Sequence, residues 1–255
     1  MGNPFPLKKT AFAAGLCFAS VALSTARGED LRGHLLSRIE QRSLAVRSYK
    51  ASFDLWIRAG GEEFELTGVT LFKWPKMLRV EMSLRDEKAL SQILYWREGI
   101  VWQYLPSANV AFHREEETLR KKYPETFASQ DLVNLQNPFD LVEGASIKFL
   151  GEESVEGESL YLFEGTPKKA IQHQGVLQPV LCRMQIADKD GLLRALLLYD
   201  ASGREIVKQR FWDLQTNLEL LDEEFMFKPE NVKLVEVTKQ TEKKMKLLLQ
   251  EVGSP

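Results

Sequence analysis

The stretch LFKWPKMLRVEM, residues 71–82, decides the fold that this chain adopts. Successive side chains of a β-strand point to opposite faces, so Leu78, Val80 and Met82 fall on one face of a strand. Arg79, between them, falls on the other face. The stretch therefore predicts a sheet that is apolar on one face and polar on the other.

The same alternation continues on both sides of this stretch, from about residue 49 to residue 112. Gly60-Gly61 and Glu98-Gly99 are typical of tight turns between strands. Gly68 marks a place where a strand bends or where another group approaches the backbone closely. Six short strands within about 60 residues predict an antiparallel meander.

A long interruption follows the meander. Residues 113–144 are charged, then helical in pattern, and are broken at Asn137-Pro138. A break of this length is typical of a lid or of helices that cover a sheet. The strand pattern resumes at residue 147 and continues to residue 212, and Phe225-Met226-Phe227 is predicted to close the sheet.

Helices are predicted at both ends of the domain. From Leu31, apolar residues recur near the helical period, which predicts a helix that packs on the sheet. The charged tail, residues 238–255, fits either a short helix that docks through Leu247 to Leu249 or a frayed end.

The first 26 residues have the pattern of a secretory signal peptide. Lys8 and Lys9 precede an apolar stretch from Ala11 to Leu23, and Ala26 follows small residues at a cleavage site. The alternative, a membrane anchor, needs roughly 20 apolar residues, more than this stretch contains. Cleavage near Ala26, or slightly later at Ala26-Arg27-Gly28, predicts export and one domain over residues 27–237.

Composition excludes several classes of protein. The whole chain has a net charge of −2 and no arginine-rich patch, so we expect no nucleic-acid partner. Loss of Lys8 and Lys9 would bring the charge to −4. Cys182 would then be the only remaining cysteine, so the core rather than an internal disulfide must stabilise the domain. We expect the protein to be a monomer.

Motifs for catalysis are missing from the sequence. His34, His113 and His173 have no metal-ligand spacing, and there is no nucleophile elbow or glycine-rich phosphate loop. Cys182 lies in an apolar strand and is interpreted as a buried structural thiol. Acidic runs such as Asp222-Glu223-Glu224 are typical of solvated turns, although a catalytic carboxylate pair needs no local spacing and stays an alternative. We expect no enzymatic activity, no metal and no cofactor.

The order of several motifs resembles the LolA family of periplasmic lipoprotein carriers. The resemblance rests on Gly68 to Pro75, Trp102-Gln103-Tyr104-Leu105-Pro106, Asn137-Pro138, Asp200 to Gly203, Asn217 and Phe225 to Pro229. It covers roughly residues 31–237. Each motif alone is weak, and their order carries the resemblance.

The resemblance implies an α+β fold, mainly antiparallel β: an incomplete, half-open β-barrel with helices over its concave face. The cavity under the helices would bind acyl chains of lipoproteins received from an inner-membrane lipoprotein-releasing ABC transporter and passed to an outer-membrane acceptor. The candidate cavity residues are apolar or aromatic: Phe64, Leu66, Phe72, Trp74, Leu78, Val80, Met82, Trp102 and Tyr104. The same residues are equally consistent with an ordinary core.

Trp74 departs from the family pattern, in which an arginine before the proline is thought to hold the lid shut. A tryptophan has one hydrogen-bond donor where a guanidinium has five. We therefore expect the lid to be held differently, with Trp74 filling the cavity or Arg79 reaching from elsewhere.

Two other functions fit the same fold. A LolB-like acceptor would need an N-terminal lipid, but Cys17 follows Leu16 inside the apolar stretch, in a poor context for lipidation. A periplasmic sensor, or a carrier of another lipid, remains a further alternative.

Overall fold

A computed structural model describes residues 25–87, 89–123, 135–168, 177–228 and 230–252. The predicted signal peptide lies almost entirely outside this part of the chain. Helix α1 (Thr25–Ala45) leads into the sheet, and α2 (Glu116–Lys122) and α3 (Thr238–Val252) follow the sixth and the last strand.

The strands fall into two groups, one before and one after the long interruption. The first group is β1 (Ser48–Ala59), β2 (Glu62–Lys73), β3 (Met77–Leu84), β4 (Gln92–Arg97), β5 (Ile100–Leu105) and β6 (Val110–Glu115). The second is β7 (Lys148–Val155), β8 (Glu158–Gly165), β9 (Leu181–Ala187), β10 (Leu193–Tyr199), β11 (Glu205–Thr216) and β12 (Lys233–Glu236). The predicted meander of six strands is thus confirmed.

The described strands form one sheet in the order β12-β6-β5-β4-β3-β2-β1-β11-β10-β9-β8-β7. Pairing is antiparallel throughout, except that β12 runs parallel to β6. Within the described residues the edge strands β12 and β7 do not pair with each other. The sheet therefore stays open, which confirms the predicted incomplete barrel.

Two glycine positions in the first half of the sheet have a clear physical reason. The turn Gly60-Gly61 has positive φ at both residues, as a tight hairpin needs. At Gly68 a Cβ atom would lie 2.0 Å from the carbonyl oxygen of Glu81 and 2.7 Å from the ring of Phe53. The predicted close approach at Gly68 is therefore confirmed.

One face of the sheet, called the inner face here, carries the main core. Phe53, Phe72 and Val80 lie on this face of β1, β2 and β3 and are buried. Ile39 and Val46, from α1 and the turn after it, pack against the same cluster. The predicted packing of the first helix on the sheet is thus confirmed.

The second cover of the inner face comes from the long interruption in the strand pattern. Residues 135–147, called the covering segment, include the 3₁₀ helices Pro138–Leu141 and Gly144–Ser146. Leu135 and Phe139 are buried in the main core. The inner face is thus covered by two separate pieces of chain.

The opposite, outer face is crossed by residues 217–228, called the strap. Leu220 and Phe225 pack on Leu71 of β2. The prediction that Phe225-Met226-Phe227 closes the sheet as a strand is wrong, because this stretch begins in the 3₁₀ helix Asp222–Phe225 and runs across the strands. The last strand is β12.

The C-terminal helix packs against α2. Met245 is buried with Leu119 and Tyr123, and Glu242 accepts a hydrogen bond of 3.0 Å from the Tyr123 hydroxyl. The charged tail therefore begins as a docked helix. The predicted docking residues Leu247 to Leu249 belong to the part of α3 whose side chains the structure does not describe.

Candidate functional site

Most of the predicted cavity residues share the inner face. Phe72 pairs with Leu78, and Val80 and Met82 continue the same face along β3. Phe72, Leu78 and Val80 are buried, whereas Met82 is partly buried at the edge of the main core. The predicted alternation across residues 71–82 therefore describes a real apolar surface.

Phe64 and Leu66 lie on this face near its uncovered end. Phe64 is 42% exposed and pairs with Ile57. Leu66 lies between Leu55 and Leu84, and Leu84 is 37% exposed. Apolar side chains at this end of the inner face are thus open to solvent, and this end is called the open end.

Trp102 and Tyr104 do not belong with the others, and their assignment to the same cavity wall is corrected. Trp102 pairs with Tyr95 on the outer face. The ring of Phe227, from the strap, lies 5.1 Å from the Trp102 ring and 5.6 Å from the Tyr104 ring. This aromatic cluster anchors the strap.

The reason for the difference is the length of the hairpin turn. The two-residue turn Glu98-Gly99 pairs Arg97 with Ile100, so even-numbered residues of β4 share a face with odd-numbered residues of β5. Trp96 therefore lies beside Val101 on the inner face. Alternation within one strand does not carry across such a turn.

Trp74 lies at the end of β2, beside the covering segment, and is 47% exposed. The guanidinium of Arg47 lies 5.1 Å from the centre of its ring, and the Trp74 backbone N–H donates to the Arg47 carbonyl at 2.7 Å. Such a cation–π contact is worth about 0.5–1 kcal/mol at an exposed site. Trp74 thus joins the sheet to the end of α1.

Arg79 points to the outer face, as its position in the strand predicts. It donates to the Glu224 carbonyl of the strap at 3.1 Å and pairs with Glu81. The Arg79 side chain therefore contacts the strap and not the covering segment.

The covering segment is held by residues that the sequence analysis did not single out. The Gln136 amide donates to the carbonyls of Ser43 (3.1 Å) and Val46 (2.6 Å), and the Ser43 hydroxyl accepts from the Asn137 N–H. These contacts tie the covering segment to the end of α1. No local pattern marks Gln136, and only Asn137-Pro138 signals the turn beside it.

Tyr49 fixes the same segment from the sheet. Its hydroxyl accepts a hydrogen bond of 3.1 Å from the backbone N–H of Leu135, and its ring stacks on Phe72 at 5.2 Å. Burial raises the pKa of the Tyr49 phenol far above its ordinary value. The hydroxyl therefore stays protonated and keeps its partners at any physiological pH.

A cavity of about 220 Å³ lies where the covering segment meets the inner face. Its lining is half apolar, with Phe72, Trp74, Pro75, Leu78 and Trp96, and half polar, with Lys76, Arg120, Gln136, Asn137 and Asp140. Ligand sites for small molecules usually measure about 300–1,000 Å³. A long acyl chain would therefore need the covering segment or α1 to move.

The larger cavities are on the outer face and have charged walls. One of about 680 Å³ is lined by Asp54, Trp56, Lys208 and Arg210 among others, and an adjacent one of about 630 Å³ shares Asp54 and Arg210. Charged walls do not suit an acyl chain. The apolar inner face remains the candidate site.

Three side chains on the inner face have a buried polar atom with no hydrogen-bond partner among the described residues: Thr70 and Trp96, with one such atom each, and Gln209, with two. Gln209 on β11 lies between Leu55 and Leu196, is 1% exposed, and neither its Oε1 nor its Nε2 meets a hydrogen-bonding group. Such a group costs about 1–3 kcal/mol. The sequence analysis did not find it, because a glutamine in a strand has no distinctive pattern.

No group of three His, Cys, Asp or Glu side chains within the described residues is placed to hold a metal ion. Cys182 is buried as predicted, and burial raises the pKa of its thiol to about 12. His173 lies outside the described residues. None of the described helices is long and apolar enough to cross a membrane.

The fold is shared with known structures. An uncharacterized conserved protein from Thermus thermophilus matches with a TM-score of 0.55 and 14% identity, over 81% of this chain and 99% of that one. MucB matches with a TM-score of 0.50 and 16% identity, over 81% of this chain and 66% of that one. A LolA superfamily protein from Nitrosomonas europaea matches with a TM-score of 0.35 and 13% identity, over 75% and 97%.

The first two matches show the fold alone at such identities, and that fold is the open, mainly antiparallel sheet that the sequence predicts. The sequence matches no protein-family model and no curated protein. The function must therefore be argued from the inner face itself.

Proposed function

We propose that this protein is an exported carrier that binds the acyl chains of lipoproteins on the inner face and moves them from the inner to the outer membrane. The observation that supports the proposal is an apolar sheet face whose covers are separate pieces of chain. Phe64 and Leu84 leave that face open at one end.

The energetics of an acyl chain favour such a face. Exposure of a chain to water costs about 0.8 kcal/mol per methylene, so about 12 kcal/mol is at stake for some 15 methylenes. A carrier has to recover most of this energy and still release the chain. Displacing a cover that packs on the same face would offset part of the binding energy, so the net affinity for the acyl chain would be moderate.

The covers suit this exchange because hydrogen bonds and apolar packing hold them to the sheet, and both can re-form after a ligand leaves. The covering segment is tied to α1 through Gln136, and to the sheet through Tyr49 and through the Leu193 N–H, which donates to the Leu135 carbonyl at 3.2 Å. A ligand that displaced Leu135 and Phe139 would take over their places on the main core. No covalent chemistry is needed, so we propose that the protein is not an enzyme.

The proposal has consequences for partners and location. A carrier between two membranes would work in the periplasm, receive lipoproteins from an inner-membrane lipoprotein-releasing ABC transporter, and deliver them to an outer-membrane acceptor. The predicted signal peptide over residues 1–26 supports export. We propose that the carrier works as a monomer, which leaves the open end free.

The proposal is tested with a matched pair of leucines. Leu84 is 37% exposed on the inner face, and Leu234 is 51% exposed and pairs with Ala111 on β6, opposite the inner face. We expect Leu84→Glu to weaken binding of an acylated lipopeptide at least tenfold, because it places a charge in the path of the chain. Leu234→Glu is expected to bind like the wild type.

Native mass spectrometry of the wild-type protein purified from a bacterial envelope supplies the second measurement. Acylated species bound to the protein are the expected result. Equal lipopeptide affinities for the two variants, or recovery of only soluble metabolites, would contradict the proposal. An intact mass with added acyl groups would favour a LolB-like anchored acceptor.

A further inference from the structure

Gln209 is placed at the centre of the inner face, where every neighbour across the sheet is apolar. Leu55 lies opposite it on β1 and Leu196 opposite it on β10. Phe211 and Val207 flank it along its own strand on the same face, and both are buried. The carboxamide therefore projects into the apolar core.

Most other buried polar side chains in the described part of the chain have partners, although Thr70 Oγ1 and Trp96 Nε1 each lack a hydrogen bond. Ser43 and Gln136 bind the covering segment and α1, Ser48 donates to the strap, and Thr70 faces the Tyr49 hydroxyl. The remaining ones form ion pairs: Glu116 with Arg114 and Arg120, and Asp190 with Arg194. Gln209 differs from all of them, since both ends of its amide are unpaired.

A carboxamide carries two donors and an acceptor oxygen, and burying it unpaired is unfavourable. Leucine or methionine would fill the same position at lower cost. A glutamine here makes sense when a partner arrives from outside the chain. The partner has to be uncharged, because the leucines and Phe211 around it would penalise a buried charge.

We infer that Gln209 binds the neutral carbonyl of an ester or amide that links an acyl chain to its carrier molecule. The inference rests on the proposed function and specifies which group of the ligand the Gln209 side chain recognises. Leu55, Leu66 and Leu84 continue the row from Gln209 across three further strands, roughly 14 Å. An acyl chain along this row places its carbonyl at Gln209 and its methylenes on leucines.

The experiment compares two lipids that differ only in this carbonyl: 1-monolauroylglycerol, an ester, and 1-O-dodecylglycerol, the matching ether. Their dissociation constants are measured by titration calorimetry for the wild type and for Gln209→Leu. We expect the wild type to prefer the ester about tenfold, the effect of one good hydrogen bond. The variant should bind both lipids equally and melt at a higher temperature without ligand.

Gln103→Leu is the matched control. Gln103 lies on the same face, but its amide already donates to Gln92 at 2.9 Å, so this variant should keep the preference for the ester. Should Gln209→Leu fail to fold, Gln209→Met repeats the test with an unbranched side chain.

An unchanged ester preference in the Gln209 variant, or none in the wild type, overturns the inference and leaves the carrier proposal standing. Failure of the wild type to bind either lipid overturns the inference and the carrier proposal together.

Discussion

At the scale of single residues, the structure shows that the cover of the inner face depends on a few polar groups at its margin. Tyr49 is the deepest of them, since its fully buried hydroxyl accepts the hydrogen bond of the Leu135 N–H. The ring packs as a core side chain, while the hydroxyl positions a separate segment. The two roles are separable by substitution.

Tyr49→Phe should lower the free energy of unfolding by about 1–3 kcal/mol, because it leaves the buried N–H of Leu135 without its acceptor. Denaturation in urea measures the change. Tyr104→Phe is the control, since the Tyr104 hydroxyl is bound to Asn109 at an exposed site where water replaces it. That variant should change stability by less than about 0.5 kcal/mol. Equal losses in both variants would refute the role given to Tyr49.

Cys182 permits a second test at this scale. Its thiol is fully buried on β9, and burial raises its pKa to about 12, so the reactive thiolate is scarce at pH 8. In a protein that comprises residues 27–255, we expect a thiol reagent to label Cys182 only as fast as the domain unfolds. In urea it should label Cys182 at once. Rapid labelling of the native protein would mean that the inner face opens without unfolding.

At the scale of elements, α1 is docked through a close contact that only glycine allows. Gly191, in the turn between β9 and β10, has φ +69°, and a Cβ atom there would lie 2.3 Å from the Ile39 carbonyl oxygen of α1. The turn and the helix therefore fit together with no room for a side chain. Neither a helical period nor a turn motif in the sequence reveals this contact.

Gly191→Ala should push α1 off the sheet and destabilise the protein by about 3 kcal/mol or more, since the clash is with backbone on both sides. Gly203→Ala is the matched control: its φ is +78°, but nothing lies within 4 Å of the added Cβ. Only the strain of positive φ remains there, about 1–2 kcal/mol. Thermal melting of both variants provides the measurement, and a loss at Gly191 no larger than at Gly203 would contradict the docking contact.

The sequence alone predicts some of these elements and not others. Strands β1–β6, the first helix and the interruption before β7 follow from periods of two and 3.6, because these periods reflect burial on one face. The places of Trp102 and Phe227 do not follow. A two-residue turn inverts the parity between strands, and Phe225-Met226-Phe227 alternates as a strand would although it crosses the sheet as a strap.

At the scale of the whole molecule, the protein consists of an open sheet, a strap fixed to its outer face, and two covers on its inner face. The strap is anchored by an aromatic cluster and by Lys73, which donates to Leu220 and Asp222 at 2.7 and 2.6 Å. The covers depend on polar contacts at their margins. Of the candidate site, sequence patterns predict the apolar wall, but they reveal neither the covers' attachments nor Gln209, because those are contacts between distant segments.

Acid should therefore release a cover before it unfolds the sheet. Asp188, in the turn that holds α1, accepts a hydrogen bond of 2.7 Å from the Tyr161 hydroxyl and pairs with Arg42 and Arg38. The Tyr161 hydrogen bond and the two guanidiniums lower the pKa of Asp188 below its ordinary value of 3.8. The stabilisation is complete above pH 3.8 and is lost as the pH falls through the lowered pKa of the folded state.

We expect binding of the dye 8-anilinonaphthalene-1-sulfonate to stay low from pH 7 to about pH 4 and to rise below it, while far-UV circular dichroism still reports strands. Asp188→Asn has no charge to lose, so its dye binding should be higher at pH 7 and flatter below pH 4. Asp200→Asn is the control: Asp200 also has a lowered pKa, about 2, but its partners Ser202 and Arg204 lie in one exposed turn between β10 and β11. Its dye profile should follow the wild type, and an Asp188→Asn profile that did the same would show that acid acts on some other contact of the cover.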